Sequence, residues 1–105
     1  MATETFGVTV ADVGDSFLIS CDGEFDLASA DRFRTSADWV VALHPESIHL
    51  DCSRITFIDS VGMNVMMHLA STCHQKGIEL TLSTNTSMQR LFDRVGVSAL
   101  FSSAR

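Results

Sequence analysis

The chain has 105 residues, room for one domain and one core, and with 46% hydrophobic residues and a mean hydropathy of +0.21 it is too apolar to remain unfolded. Its net charge is -6 and its 7 Lys and Arg are scattered, so it lacks the basic footprint that nucleic acids or anionic membranes require. There is no apolar run long enough to cross a bilayer, and the opening MATETFGVTV has neither the basic nor the apolar region of a signal peptide, so the expected location is the cytoplasm.

The first element is FGVTVADV, whose alternation puts Phe6, Val8 and Val10 on one face of a half-buried strand. A Gly-Asp turn signal follows, and SFLISCDG, with Phe17, Leu18, Ile19 and Cys21, completes a β-hairpin. After GEFDLAS the period changes: Ala30, Phe33, Ala37, Val40 and Val41 recur at helical steps, with Ser29 as the expected N-cap. That helix should stop near Leu43, because Pro45 disfavours helical dihedrals at His44.

SIHLDC alternates again, with Ile48, Leu50 and Cys52 on one face and His49 and Asp51 on the other. A short apolar ramp leads to a helix over Ser60 to Lys76, in which Val65, Met66, Leu69, Ala70 and Cys73 keep helical spacing and Gly77 is the left-handed closing residue. IELTLS predicts a strand with Ile78, Leu80 and Leu82 inward. A third helix runs from about Thr86 through Met88, Leu91, Phe92 and Val95 to Gly96. The tail VSALFSSAR has room for a short strand and little more. The order β-β-α-β-α-β-α implies an α/β domain over residues 1–105 with a mixed sheet and a right-handed βαβ crossover.

The three cysteines, Cys21, Cys52 and Cys73, have long spacings with no C-x-x-C pair. Each lies in an apolar periodic segment and reads as a small buried hydrophobe in a reducing compartment. A redox pair would require two of them to meet in the core.

The chemistry concentrates in DCSRITFIDSVGMNVMM, where strand becomes helix at Asp59-Ser60. A hydroxyl there is a helix cap, a nucleophile or a phosphate acceptor. A hydrolase elbow reads G-x-S-x-G, but here Asp59 replaces the first Gly and would oppose an oxyanion. None of His44, His49, His68 and His74 is placed by sequence beside Ser60. Gly62 at a helix N-terminus suits an anion, yet neither G-x-x-x-x-G-K-[ST] nor G-x-G-x-x-G is present. Met66 reads as core, whereas Met63 and Met67 are expected toward the outer face, an adaptable surface beside Ser60.

This stretch resembles the D-S-x-G signature of bacterial anti-sigma-factor antagonists of the STAS domain family. GEFDLASADRF is similar to that family's turn before its first helix, and MQRLFDRVGV to its third helix. The resemblance covers nearly the whole chain. It implies a STAS-type domain, a mixed sheet with helices mainly on one face, acting as a non-enzymatic regulator of transcription.

By the same resemblance, the partner is an anti-sigma factor that is also a serine kinase, and ATP and its metal belong to that partner, so the chain needs no cofactor or metal of its own. The unphosphorylated antagonist sequesters the kinase and frees the sigma factor. Carried over by position, Ser60 is the phosphorylation site, so that it is expected to be helix cap and phosphate acceptor at once. Glu24 and Asp26 on the neighbouring loop, with Asp59, Val61, Gly62, Met63, Asn64 and Met67, form the partner-binding surface, and a phosphoserine phosphatase is expected to reset it.

Three departures from the family pattern stand out. Val61 replaces a frequent second hydroxyl, Asn64 a frequent Gly, and the tail leaves little room for a C-terminal helix. A STAS scaffold or sensor without sigma control, and a small Ser-dependent hydrolase, are the alternative readings.

Overall fold

Alternation builds the first two strands as expected, and the second runs on to the inward-facing Phe25. In this computed structural model, which describes residues 6–96, 101 and 103–104, β1 is Phe6–Asp12 and β2 is Ser16–Phe25. They pair antiparallel from Phe6↔Gly23 to Asp12↔Phe17. Gly14, at φ +93°, supplies the turn, since a side chain there would be strained. The strand β2 carries Glu24 within it, so of the two GEFD acids only Asp26 sits on the loop, a correction to the sequence reading.

Helix α1 spans Ala30–Ala42 and buries Ala30, Phe33, Ala37, Val40 and Val41. It ends where expected: His44 turns left-handed at φ 52° just before Pro45. Ser29 differs from expectation. Its backbone is already near-helical and its hydroxyl caps no helical amide. Buried, it accepts from the Asp26 N–H at 2.9 Å and donates to the Glu24 carbonyl at 2.9 Å, so it ties the loop to the end of β2.

The apolar ramp proves to be strand. β3 runs the whole way from Ser47 to Ile58, parallel to β2, and buries Ile48, Leu50, Cys52, then Ile55 and Ile58. The step from two residues to three has a cause in the register. Ser20↔Asp51 is followed by Asp22↔Arg54, and Gly23↔Ile55 by Glu24↔Phe57, so β3 carries an extra residue at each break. Helix α2, Ser60–Lys76, has the predicted bounds and buried face, with Gly77 at φ 71°.

Strand β4 (Glu79–Thr84) pairs parallel with β3, and helix α3 (Thr86–Val95) follows. Asn85 caps α3, accepting from the Met88 N–H at 2.8 Å. The same side chain donates to the Ser53 and Ile55 carbonyls, anchoring the helix to the bulged part of β3. Met88 and Phe92 are buried as expected, but Val95 is exposed. Of the tail, Ser103–Ala104 forms β5, parallel to β4, while residues 97–100, 102 and 105 lie outside the described residues.

The sheet order is β1-β2-β3-β4-β5. Inward residues of β1 to β4 and of all three helices form one continuous core. The other face of the sheet is polar. There Ser16 and Ser47 share a hydrogen bond at 2.6 Å, and His49 bonds Thr81 at 2.5 Å and Ser83 at 2.7 Å. The expected mixed sheet with its helices on one face is what the chain builds.

All three cysteines are buried free thiols, and Cys52 of β3 neighbours Cys21 of β2. The Cys21 thiol and then burial raise the Cys52 thiol well above its ordinary range, and burial pushes Cys73 up to about 11. Alkylation needs the thiolate, so Cys52 and Cys73 are expected to label only as fast as the domain opens. Mass spectrometry of the native protein treated with iodoacetamide checks this; fast labelling of Cys52 or Cys73 would contradict the packing.

Candidate functional site

The site is built where the C-terminal ends of β2 and β3 hand over to helices. Phe25 closes β2, and its ring lies between Phe6 and Phe33, with centroids 5.2 and 4.9 Å away. This aromatic stack fixes the height of the Asp26 loop. Phe25 also accepts from the Asp59 N–H through its carbonyl at 3.2 Å, which stitches the two loops together.

Asp59, not Ser60, is the N-cap of α2. Its backbone is extended (φ -103°, ψ -175°), and its Oδ1 accepts from the Gly62 N–H at 2.9 Å. Its Oδ2 accepts from the Leu27 N–H at 3.2 Å, so one carboxylate holds both loops. Ser60 is thereby released from capping. It is the first residue of the helix and exposed, and its hydroxyl takes no hydrogen bond from any described residue.

Gly62 explains the last letter of the D-S-x-G pattern. A Cβ there would lie 2.5 Å from the Phe25 carbonyl oxygen and 3.0 Å from Ile58 Cγ1. The missing side chain is what lets α2 start tight against β2. Gly62→Ala is therefore expected to push the helix start away from β2 and to cost about 1–3 kcal/mol, because a backbone oxygen cannot rotate aside as a side chain can. Denaturant unfolding measures it, and wild-type stability would mean the approach is looser than this.

The predicted residues do gather around Ser60, with differences. Glu24 is exposed on β2. Asp26 is half-buried and accepts from the Ala28 N–H at 3.0 Å, shaping its own loop. Gly62 is buried and offers a partner almost no surface. Val61 and Met63 are half-buried against the core, so Met63 is less outward than the helical spacing suggested. Asn64 and Met67 are exposed and follow Ser60 along one stripe of α2, Met67 at 39%.

Two residues escaped the sequence reading. Leu27 is 73% exposed on the loop that Asp59 holds, and Phe57 is 49% exposed opposite Glu24. The signal for Phe57 was its place between the inward Ile55 and Ile58. Around Ser60 the surface is thus apolar shoulders with acidic side chains between them. His49 is held by Thr81 and Ser83 on the open sheet face, His68 lines a hollow with Val61 and Asn64 farther along α2, and the Asp59 carboxylate is occupied by the Leu27 and Gly62 amides. Among the described residues no group of three or more His, Cys, Asp or Glu is arranged for a metal ion. What this geometry provides is an accessible hydroxyl on a rigid helix start.

Comparison with known proteins identifies the family and the fold. The family model for the STAS domain matches residues 8–104. The anti-sigma-F factor antagonist RsfB of Mycobacterium tuberculosis is 34% identical over 76 residues, an alignment covering 72% of this chain and 60% of that protein. The chain thus spans 60% of the length of the curated relatives it matches. Among solved structures, an anti-sigma factor antagonist from Mycobacterium paratuberculosis superposes with a TM-score of 0.78 at 23% identity, covering 98% of this chain and 88% of that one. The anti-sigma factor antagonist SpoIIAA in its unphosphorylated form gives a TM-score of 0.77 at 16% identity, covering 94% and 89%. The Bacillus SpoIIAA in the phosphorylated form gives 0.73 at 17%, covering 94% and 92%. At these identities the structural matches establish the shared fold.

Proposed function

The chain belongs to the STAS domain family, and from that membership we propose that it is an anti-sigma-factor antagonist switched by phosphorylation of Ser60. The observation that carries this reading is the exposed Ser60 hydroxyl, bonded by no described residue, on a helix start that Asp59 caps independently. Such a hydroxyl is open to a kinase, and modifying it removes no bond that holds the fold.

The unphosphorylated form binds an anti-sigma factor with serine kinase activity and releases the sigma factor; the phosphorylated form does not. Relatives named as anti-sigma factor antagonists support the partner class. The kinase activity, and a phosphatase that restores Ser60, belong to this proposal. ATP and its metal sit on the partner, and the chain acts as a binding regulator rather than an enzyme. No helix among the described residues is long and apolar enough to cross a membrane, which fits a regulator working in the cytoplasm.

Within the surface, Leu27, Phe57 and Met67 supply apolar contact, and Glu24, Asp26 and Asn64 its polar part. Incubation with an anti-sigma factor kinase and ATP, followed by phosphosite mapping, tests the reading. Phosphate on Ser60 is the expected product. Phosphate on Ser53, Thr56 or Ser71 with Ser60 bare would refute it, as would a complex indifferent to the phosphate.

A further inference from the structure

At the end of the sheet opposite Ser60, a second apolar patch remains that the switch does not use. The lone Trp39 is 58% exposed on α1, and its ring meets the edge of Phe17 at 6.1 Å and 88°. Leu43, the C-cap residue of that helix, is also half exposed. The buried Phe17 and Leu43 line one open hollow of about 350 Å³ with Gly14, Asp15, His44, Pro45 and Glu46, and the exposed Val13 precedes Gly14 in the chain. Trp39 and Leu43 are thus joined through Phe17. Single exposed apolar residues are ordinary; a joined set containing Trp, rimmed by charge, marks a contact surface.

The patch is on rigid ground. The Glu46 N–H donates to the Asp15 carbonyl at 2.9 Å, and the Glu79 N–H to the Glu46 carbonyl at 3.1 Å, knitting three loops together. A partner would meet a preformed shape and lose little order on binding.

The rim identifies the partner's chemistry. Asp12, Asp15, Asp38, Glu46 and Glu79 are exposed at this end, against Lys76 and the neighbouring His44 and His74. A second copy of the chain would bring carboxylates against carboxylates. We infer that this end is a second docking surface, for a protein segment that carries an apolar anchor flanked by Lys or Arg. It lies across the sheet from Ser60, so it can be occupied while the switch surface is engaged, and this inference stands apart from the phosphorylation reading.

Trp39 is the protein's only tryptophan, so its fluorescence reports on this site alone. The probe is a Trp-free amphipathic helical peptide of Leu and Lys, with a Leu and Glu peptide as its charge-reversed twin. The Leu/Lys peptide should give a saturable blue shift that weakens with salt, and the Leu/Glu peptide none. Leu43→Ala should lower affinity about tenfold, and Glu46→Lys should lower it too, whereas Glu24→Lys at the other end should leave it unchanged. Circular dichroism confirms that each variant is folded. Equal response to both peptides, an affinity unmoved by Leu43→Ala, or loss on Glu24→Lys would overturn the inference. So would a blue shift on raising the protein's own concentration, which would make the occupant a second copy.

Discussion

Phosphorylation of Ser60 is expected to weaken the complex with the anti-sigma factor by about 30-fold to several-thousand-fold, the equivalent of roughly 2–5 kcal/mol for a charge left unpaired in an interface. The phosphate brings about -1.5 to -2 charges to a surface where Glu24 is exposed and Asp26 and Asp59 are half-buried. The helix dipole offsets part of that locally, so the free protein tolerates it. A water-excluding contact over Leu27 and Phe57 does not. Ser60→Asp should act in the same direction but less strongly, with one charge in place of nearly two.

Stability separates the switch from damage. Ser60 bears no cap bond, and Asp59 still accepts from the Gly62 and Leu27 amides when position 60 changes. Acidic residues in a first helical turn are favourable. Ser60→Asp is therefore expected to unfold within about 0.5 kcal/mol of wild type, and Ser60→Ala to bind while resisting the kinase. Titration calorimetry beside urea unfolding measures both. Wild-type affinity in Ser60→Asp, or a loss explained by unfolding, would refute this account.

How much of this was legible follows from what each feature depends on. Helix α2 was readable to its bounds because local chemistry marks both ends and the 3.6 period is unbroken from Val65 to Cys73. Strand β3 was readable only to Cys52, because its bulges are a property of pairing with β2 and they break the period of two. The choice between Asp59 and Ser60 as cap was undecidable locally: both are good capping residues, and the bond to Leu27, far away in sequence, settles it. No periodicity gave Leu27 or Phe57 a face, because the exposure of an apolar side chain is decided by what packs above it. Position within the D-S-x-G stretch found Ser60; only the fold shows why Gly62 must follow it.

Met66→Ala is expected to be the most damaging single truncation in α2, at roughly 2–5 kcal/mol. Met66 is fully buried beneath the helix, in the same core as Val65, Leu69 and the inward residues of β3 and β4, so truncation leaves a void that a packed sheet cannot fill. Met67, one residue on, turns about 100° away and is exposed enough to leave no cavity. Met67→Ala should therefore keep wild-type stability and lose affinity for the anti-sigma factor, since an unbranched thioether can repack against a partner. Met63, half-buried one turn before Met67, should fall between them in stability and share the binding loss. Urea unfolding and partner titration of the three variants give the order directly. If Met67→Ala unfolds the domain while Met66→Ala does not, α2 is rotated about its axis, and the surface assigned to the switch faces the sheet instead.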